Sequence, residues 1–215
     1  MRTQSTQVIE SEINILEALF VIAILITAYY FQFAYKEIPC PLCLLQRIGF
    51  LGIAFGLLLN VRVGIKPIHY GIAIISGLYT QFVSGRQILL HITPGSGHYG
   101  TAIFGIHLYT WSFIAASALI LSCVALLIFH NKLTRIKMKH CRLNSAVSTT
   151  LLLLMTLIAF SNIITTYLEC GISQCPDNPT KYKNAAKEKA KKAQLTSIQA
   201  TGEVDNLART DFSST

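Results

Sequence analysis

The sequence predicts an all-α membrane protein, a four-helix transmembrane bundle followed by a fifth, C-terminal transmembrane helix. Three observations carry this expectation. Only 13% of the residues are charged and the mean hydropathy is +0.50, whereas a soluble domain carries about a quarter charged residues. The apolar residues gather into five segments, at 13–34, 42–61, 68–83, 102–129 and 146–168. The basic residues fall between those segments and in one C-terminal tract.

A spanning helix needs roughly 20 apolar residues. The first, second, fourth and fifth segments meet that length easily; the third is marginal and contains Gln81. Lipid offers the backbone no hydrogen-bond partners, so each segment is predicted to be helical. The first lacks a strongly basic flank and is followed by the aromatic cluster Tyr29, Tyr30, Phe31 and Phe33 rather than a small-residue cleavage site. It therefore reads as a retained helix, not a signal peptide. Glu17 lies about one turn inside it and is expected to snorkel or pair.

The net charge of +8 raises nucleic acid as a partner. The arrangement excludes it: there is no basic stripe interleaved with aromatics and no nucleic-acid motif, and basic residues between apolar runs suit the lipid bilayer. Arg2, Arg62, Lys66, Lys132, Arg135, Lys137, Lys139 and Arg142 fall on one face of the predicted topology, against Lys36 and Arg86 on the other before the tail. Positive charge favours the cytoplasm, so the N-terminus is expected inside and the C-terminus outside. The tail lysines between Lys181 and Lys192 run against this rule, but the basic connection before helix five outweighs them. The predicted organisation is a membrane bundle over 1–168, an outer cysteine-containing loop over 169–180, and a Lys/Ala-rich then disordered tail over 181–215.

Spacing sorts the six cysteines. Cys40/Cys43 and Cys170/Cys175 are close pairs, while Cys123 and Cys141 stand alone. The topology from the basic loops puts both pairs on the outer side, where disulfides persist.

The richest run in the chain is Glu37-Ile38-Pro39-Cys40-Pro41-Leu42-Cys43-Leu44-Leu45-Gln46-Arg47. A CxxC pair at a helix N-terminus can close a small disulfide, and the unpaired backbone N–H groups there favour a thiolate. Pro39 and Pro41 mark the helix start. Arg47 lies four residues after Cys43, one turn deeper on the same face, where it can support a thiolate, a quinone oxygen or both. A metal site is the competing reading, since Cys170 and Cys175 would complete four thiolate ligands; a purely structural disulfide is a third. Redox chemistry is preferred, with no metal.

Three further stretches stand out. Gly85 to His91 is amphipathic at helical spacing and suits an interfacial helix; Gln87 and His91 share a face and can hydrogen-bond a quinone carbonyl, or each other's surroundings as an ordinary polar pair. His107-Leu108-Tyr109-Thr110-Trp111 places two aromatics for an interface belt. Glu169-Cys170-Gly171 to Cys175 follows the fifth segment, with Gly171 suited to a helix C-cap; the pair is either a shuttle or a local staple.

CPLCLLQR at 40–47, GRQILLH at 85–91 and HLYTW at 107–111 resemble the DsbB family of quinone-reducing disulfide oxidases, over about residues 14–168. The resemblance implies a four-helix bundle in the bacterial inner membrane. It implies a ubiquinone or menaquinone at the outer edge and a periplasmic thioredoxin-fold, DsbA-like partner. By match of position, Cys40 and Cys43 become the quinone-linked disulfide, with Cys43 facing the quinone and Arg47 beside it; Gln87 and His91 carry over to the quinone pocket. The chain departs from the pattern in one respect. Many members carry a second cysteine pair between helices three and four, and residues 84–106 contain none. Cys170 and Cys175 are expected to replace it as the shuttle. A vitamin K epoxide reductase-type enzyme and a non-enzymatic metal-binding or scaffold membrane protein are the alternatives.

Overall fold

The computed structural model describes residues 2–35, 38–92, 102–133, 142–171 and 175. Among these it contains five helices: α1 (Arg2–Ala34), α2 (Pro41–Val63), α3 (Pro67–Leu90), α4 (Leu108–Leu133) and α5 (Arg142–Cys170). A two-stranded ribbon, β1 (Ala102–Ile103) and β2 (Ile106–His107), precedes α4. Glu10–Ala34, Pro41–Val63, Leu108–Phe129 and Ala146–Cys170 are long and apolar enough to cross a membrane. The protein is thus an all-α membrane protein, as its composition predicts. The chain divides into two compact units, Met1–Ile163 and Ile164–Thr215.

In the first unit α2 packs on α1 and α3, and α3 packs on α4. Ala18, Val21, Leu25, Ile53, Leu57 and Tyr70 form the centre of its core, with Leu151, Met155 and Ile158 of α5 in the same cluster. Helices in lipid associate through close packing rather than hydrophobic exclusion, so small residues line their contacts. Gly56 is the clearest case: a Cβ there would lie 2.7 Å from the His69 carbonyl oxygen and 2.9 Å from the Ala73 nitrogen.

Two boundaries differ from the sequence expectation. The stretch Gly85 to Leu90 is not a separate surface helix but the last turns of α3, because its i, i+4 pattern continues that of residues 68–83 without a breaker. The fourth helix begins at Leu108 and not at residue 102. Residues 102–107 instead pair antiparallel, Ala102 with His107 and Ile103 with Ile106. The turn between them places Phe104 at φ 53° and Gly105 at φ 76°, the left-handed pair that a tight hairpin requires. Gly105 adopts this freely; Phe104 does so against its side-chain sterics.

The far end of the bundle is fastened by a polar network. Asn14 Nδ2 donates to the Glu10 carbonyl at 2.7 Å and to the Tyr70 hydroxyl at 2.9 Å. Asn60 Nδ2 donates to Asn14 Oδ1 at 3.3 Å, and Asn60 Oδ1 accepts from the Lys66 backbone N–H and meets His69 Nδ1, both at 3.1 Å. Glu17 accepts a hydrogen bond from Ser122, which matches the expectation that it pairs.

In the second unit, Cys170 and Cys175 form a disulfide with Cα atoms 4.5 Å apart. Gly171, at φ 66°, ends α5 and donates to the Tyr167 carbonyl at 2.8 Å, a left-handed C-cap. Cys141 and the tail over 181–215 lie outside the described residues.

Candidate functional site: a cysteine pair against an apolar cavity

Cys40 is the N-cap of α2. Its backbone is extended at φ −71° and ψ 158°, and Pro41 occupies the first helical turn, where a missing N–H costs nothing. The Cys40 sulfur accepts the Cys43 N–H at 3.1 Å, the role a serine or aspartate oxygen usually fills. That bond sets the two sulfurs at the helix mouth, where orphan N–H groups favour negative charge. Cys40 is 5% exposed and Cys43 is half-buried; both are free thiols here. The Cys43 side chain alongside it, and then its own burial, raise the Cys40 thiol above the ordinary thiol range.

Gln87 reaches the pair from α3. It is 1% exposed, and its Nε2 lies 3.2 Å from the Cys40 sulfur and 3.6 Å from that of Cys43. Its Oε1 accepts from Gln46 Nε2 at 2.7 Å, which leaves the amide nitrogen to face the sulfurs. The Gln87 backbone carbonyl meets His91 Nδ1 at 2.8 Å.

Arg47 is 6% exposed. Nη1 donates to Gln32 Oε1 at 2.8 Å and Nη2 to the Ala28 carbonyl at 3.2 Å, while the guanidinium carbon sits 4.5 Å above the Tyr29 ring. A cation within a membrane helix costs about 3 kcal/mol on insertion scales. Two charge-assisted hydrogen bonds of about 2 kcal/mol each and a desolvated cation–π contact of about 2 kcal/mol outweigh that cost. The arginine is therefore held in place, and its remaining N–H groups stay available.

Cys43, Gln46, Arg47 and Gln32 border a cavity of about 440 Å³. α1 contributes Phe20, Ile24, Ala28 and Phe31, and α4 contributes Leu108, Trp111 and Ala115. The turn residue Phe104, 93% exposed, also borders it. Its polar points include Cys43, Gln46, Arg47 and Gln32. An apolar pocket of roughly 300–1,000 Å³ with a few convergent polar groups is the usual form of a small-molecule site.

The structure thus brings Cys40, Cys43, Arg47 and Gln87 together. Gln87 and His91 do not line the cavity: Gln87 bridges the sulfurs, and His91 stacks on Tyr109 with ring centroids 5.4 Å apart. Tyr109, expected in an interface belt, is 7% exposed and sandwiched, with His107 stacked on it at 5.3 Å. Trp111 keeps a belt-like exposure of 38% while donating to the Ile103 carbonyl at 3.2 Å. Sequence reading missed Gln32, Gln46 and Phe104. Gln46 sits inside the CPLCLLQR run, but nothing in the sequence ties it to Gln87, and Gln32 is one helical turn from Ala28 with nothing in the sequence to tie it to Arg47.

The family model described as Disulfide bond formation protein DsbB matches residues 10–99. The segment contains Cys40, Cys43, Arg47, Gln87 and His91, and stops before the HLYTW run that also carried the resemblance. Curated relatives named Disulfide bond formation protein B are similar over 68 residues: 37% identity in Cupriavidus metallidurans, 38% in Ralstonia nicotianae and 35% in Cupriavidus necator. Each match covers 31% of this chain and 42%, 43% and 42% of the respective relative, so the chain spans less than half the length of the DsbB proteins it matches. No solved structure matches.

Proposed function

We propose that this chain is a protein-dithiol:quinone oxidoreductase of the bacterial inner membrane, which regenerates a periplasmic thioredoxin-fold oxidant and delivers the electrons to a membrane quinone. One observation carries the reading: Cys43 of the CxxC pair lines an apolar cavity at which Arg47 and Gln46 converge. A quinone head group is flat and apolar with two carbonyl acceptors, and this cavity offers aromatic walls and N–H donors. The fit is therefore good for ubiquinone or menaquinone, for which Arg47 and Gln46 would be the donors to the carbonyl oxygens and Phe31 and Trp111 the aromatic walls.

When bound, the quinone supplies an acceptor for two electrons and two protons. The protein's part is to present the dithiol. Cys43 faces the cavity and Cys40 stands behind it; two S–H bonds break, one S–S bond forms, and the electron pair and both protons leave through the cavity side. The resulting Cys40–Cys43 disulfide is then reduced by thiolate attack through a mixed disulfide. Cys170–Cys175, already a disulfide at the C-terminal end of α5, is proposed as the shuttle between the partner's dithiol and Cys40–Cys43. The distribution of basic residues supports a cytoplasmic N-terminus, which sets both pairs in the periplasm.

The test is partner-dependent quinone reduction by the detergent-purified protein, given a reduced DsbA-like protein and ubiquinone. Turnover that vanishes in Cys43→Ser supports the reading, and none in the wild type refutes it. A vitamin K epoxide reductase-type enzyme would instead run electrons from a dithiol into a quinone epoxide, and a metal scaffold would hold four thiolates and bound zinc without turnover. For the shuttle, Cys170→Ser/Cys175→Ser must slow oxidation of the partner protein while sparing oxidation of a small dithiol; an unchanged rate with the protein partner removes that role.

A further inference from the structure

Gln87 stands at a junction that the proposed reaction does not itself require. On one side its amide nitrogen faces both sulfurs, at 3.2 and 3.6 Å. On the other its amide oxygen holds Gln46, which lines the cavity, and its carbonyl meets His91, which stacks on the cavity residue Tyr109. No α3 residue lines the cavity, so Gln87 touches the cavity only through these neighbours.

We propose that Gln87 couples the redox state of Cys40–Cys43 to occupancy of the cavity, so that the site binds oxidised quinone-type head groups more tightly as dithiol than as disulfide. The inference rests on the cavity being the quinone site. Gln87 is buried, so its N–H groups need acceptors. Thiol and thiolate sulfurs accept them. Once the sulfurs bond to each other they move together and become poorer acceptors, and the amide must rotate to recover a partner. Its oxygen is held by Gln46 at 2.7 Å, so rotation releases the Gln46 side chain, which is one of the polar groups at the cavity wall. The His91–Tyr109 stack is tied to the Gln87 backbone rather than to its amide and stays in place. The consequence is directional: an acceptor is held while thiols are present and released once the disulfide has formed. Gln87 is a positioning residue here, and Gln46 is the cavity-wall group that it positions.

The experiment uses an alkyl hydroxyquinoline N-oxide, a quinone-site ligand that takes no electrons from thiols. The chain contains one tryptophan, Trp111, and it lines the cavity, so quenching of its fluorescence reports binding. The whole chain carries Cys170→Ser/Cys175→Ser so that Cys40–Cys43 is the pair that changes state. About tenfold tighter binding to the dithiol form is expected, within the usual range of coupling between sites. By reciprocity, saturating ligand raises the reduction potential of Cys40–Cys43 by about 30 mV, the equivalent of tenfold for a two-electron couple. Gln87→Met keeps the side-chain length and removes the amide; it and Gln46→Met should each bring the affinity ratio towards one and abolish the potential shift. Equal affinity for the two forms in the parent protein overturns the coupling, as does a ratio preserved in both variants. If quinone is still reduced in that case, the proposed activity stands without the coupling. If the ligand and ubiquinone bind neither form, the cavity is not a quinone site and both proposals fall.

Discussion

The two ends of the first unit both bury amide side chains, and they use them differently. At the far end Asn14 and Asn60 spend their donors and acceptors on each other, on Tyr70 and His69, and on the Glu10 and Lys66 backbone. The network closes on itself and ties α1, the α2–α3 turn and α3 together. At the cysteine end Gln46 donates to Gln87 and Arg47 to Gln32, and these bonds run out at two sulfurs on one side and an apolar cavity on the other. A saturated network fastens a fold. A network that terminates on reactive atoms and a cavity positions chemistry.

The largest expected effect is at the reactive end. Cys43→Ser should abolish quinone-dependent dithiol oxidation, at least about a thousandfold, while leaving the detergent-solubilised protein folded by circular dichroism; retained turnover would make the cavity incidental. Arg47→Met should come next, with kcat/KM for quinone falling roughly 30-fold, about 2 kcal/mol, through loss of a charged donor. Arg47→Lys is expected to recover little, since an ammonium cannot serve Gln32 and Ala28 as a fork while lying on Tyr29.

At the far end the signature should invert. Asn60→Leu leaves the Lys66 N–H, His69 and Asn14 without their shared partner and should cost about 2 kcal/mol in an SDS-unfolding titration. Quinone affinity of the folded fraction should not change; if it does, the two ends are not separable. The smallest effect is expected for Trp111→Phe, which keeps an aromatic wall and loses one exposed hydrogen bond to Ile103. A change in quinone KM below about fivefold is the expected result, the equivalent of a net hydrogen-bond contribution of about 1 kcal/mol.

Most of the helical layout was legible in the sequence because lipid leaves an apolar segment one option. The four strongest segments, the Gly171 cap and the disulfide-forming spacing of Cys170 and Cys175 all follow from local composition. The hairpin at 102–107 did not, since two-residue strands produce no measurable alternation and Phe104 is an unusual choice for a left-handed position. Tyr109 was misjudged for a related reason: an aromatic near a helix start suits a lipid interface equally well until His91 and His107 are seen to enclose it.

The Cys40–Cys43 pair and Arg47 were determined by sequence alone, because i, i+3 and i+4 spacing on one helix fixes which side chains share a face. What surrounds them was decided by tertiary structure. Gln32 from α1 reaches Arg47, and Gln87 from α3 reaches Gln46 and the sulfurs, only because the helices pack at one separation and depth, and no local pattern encodes that. The same packing leaves the space between α1 and α4 unfilled behind Cys43. A sequence specifies where a reactive thiol begins a helix; whether that thiol faces protein, lipid or a cavity depends on the neighbouring helices.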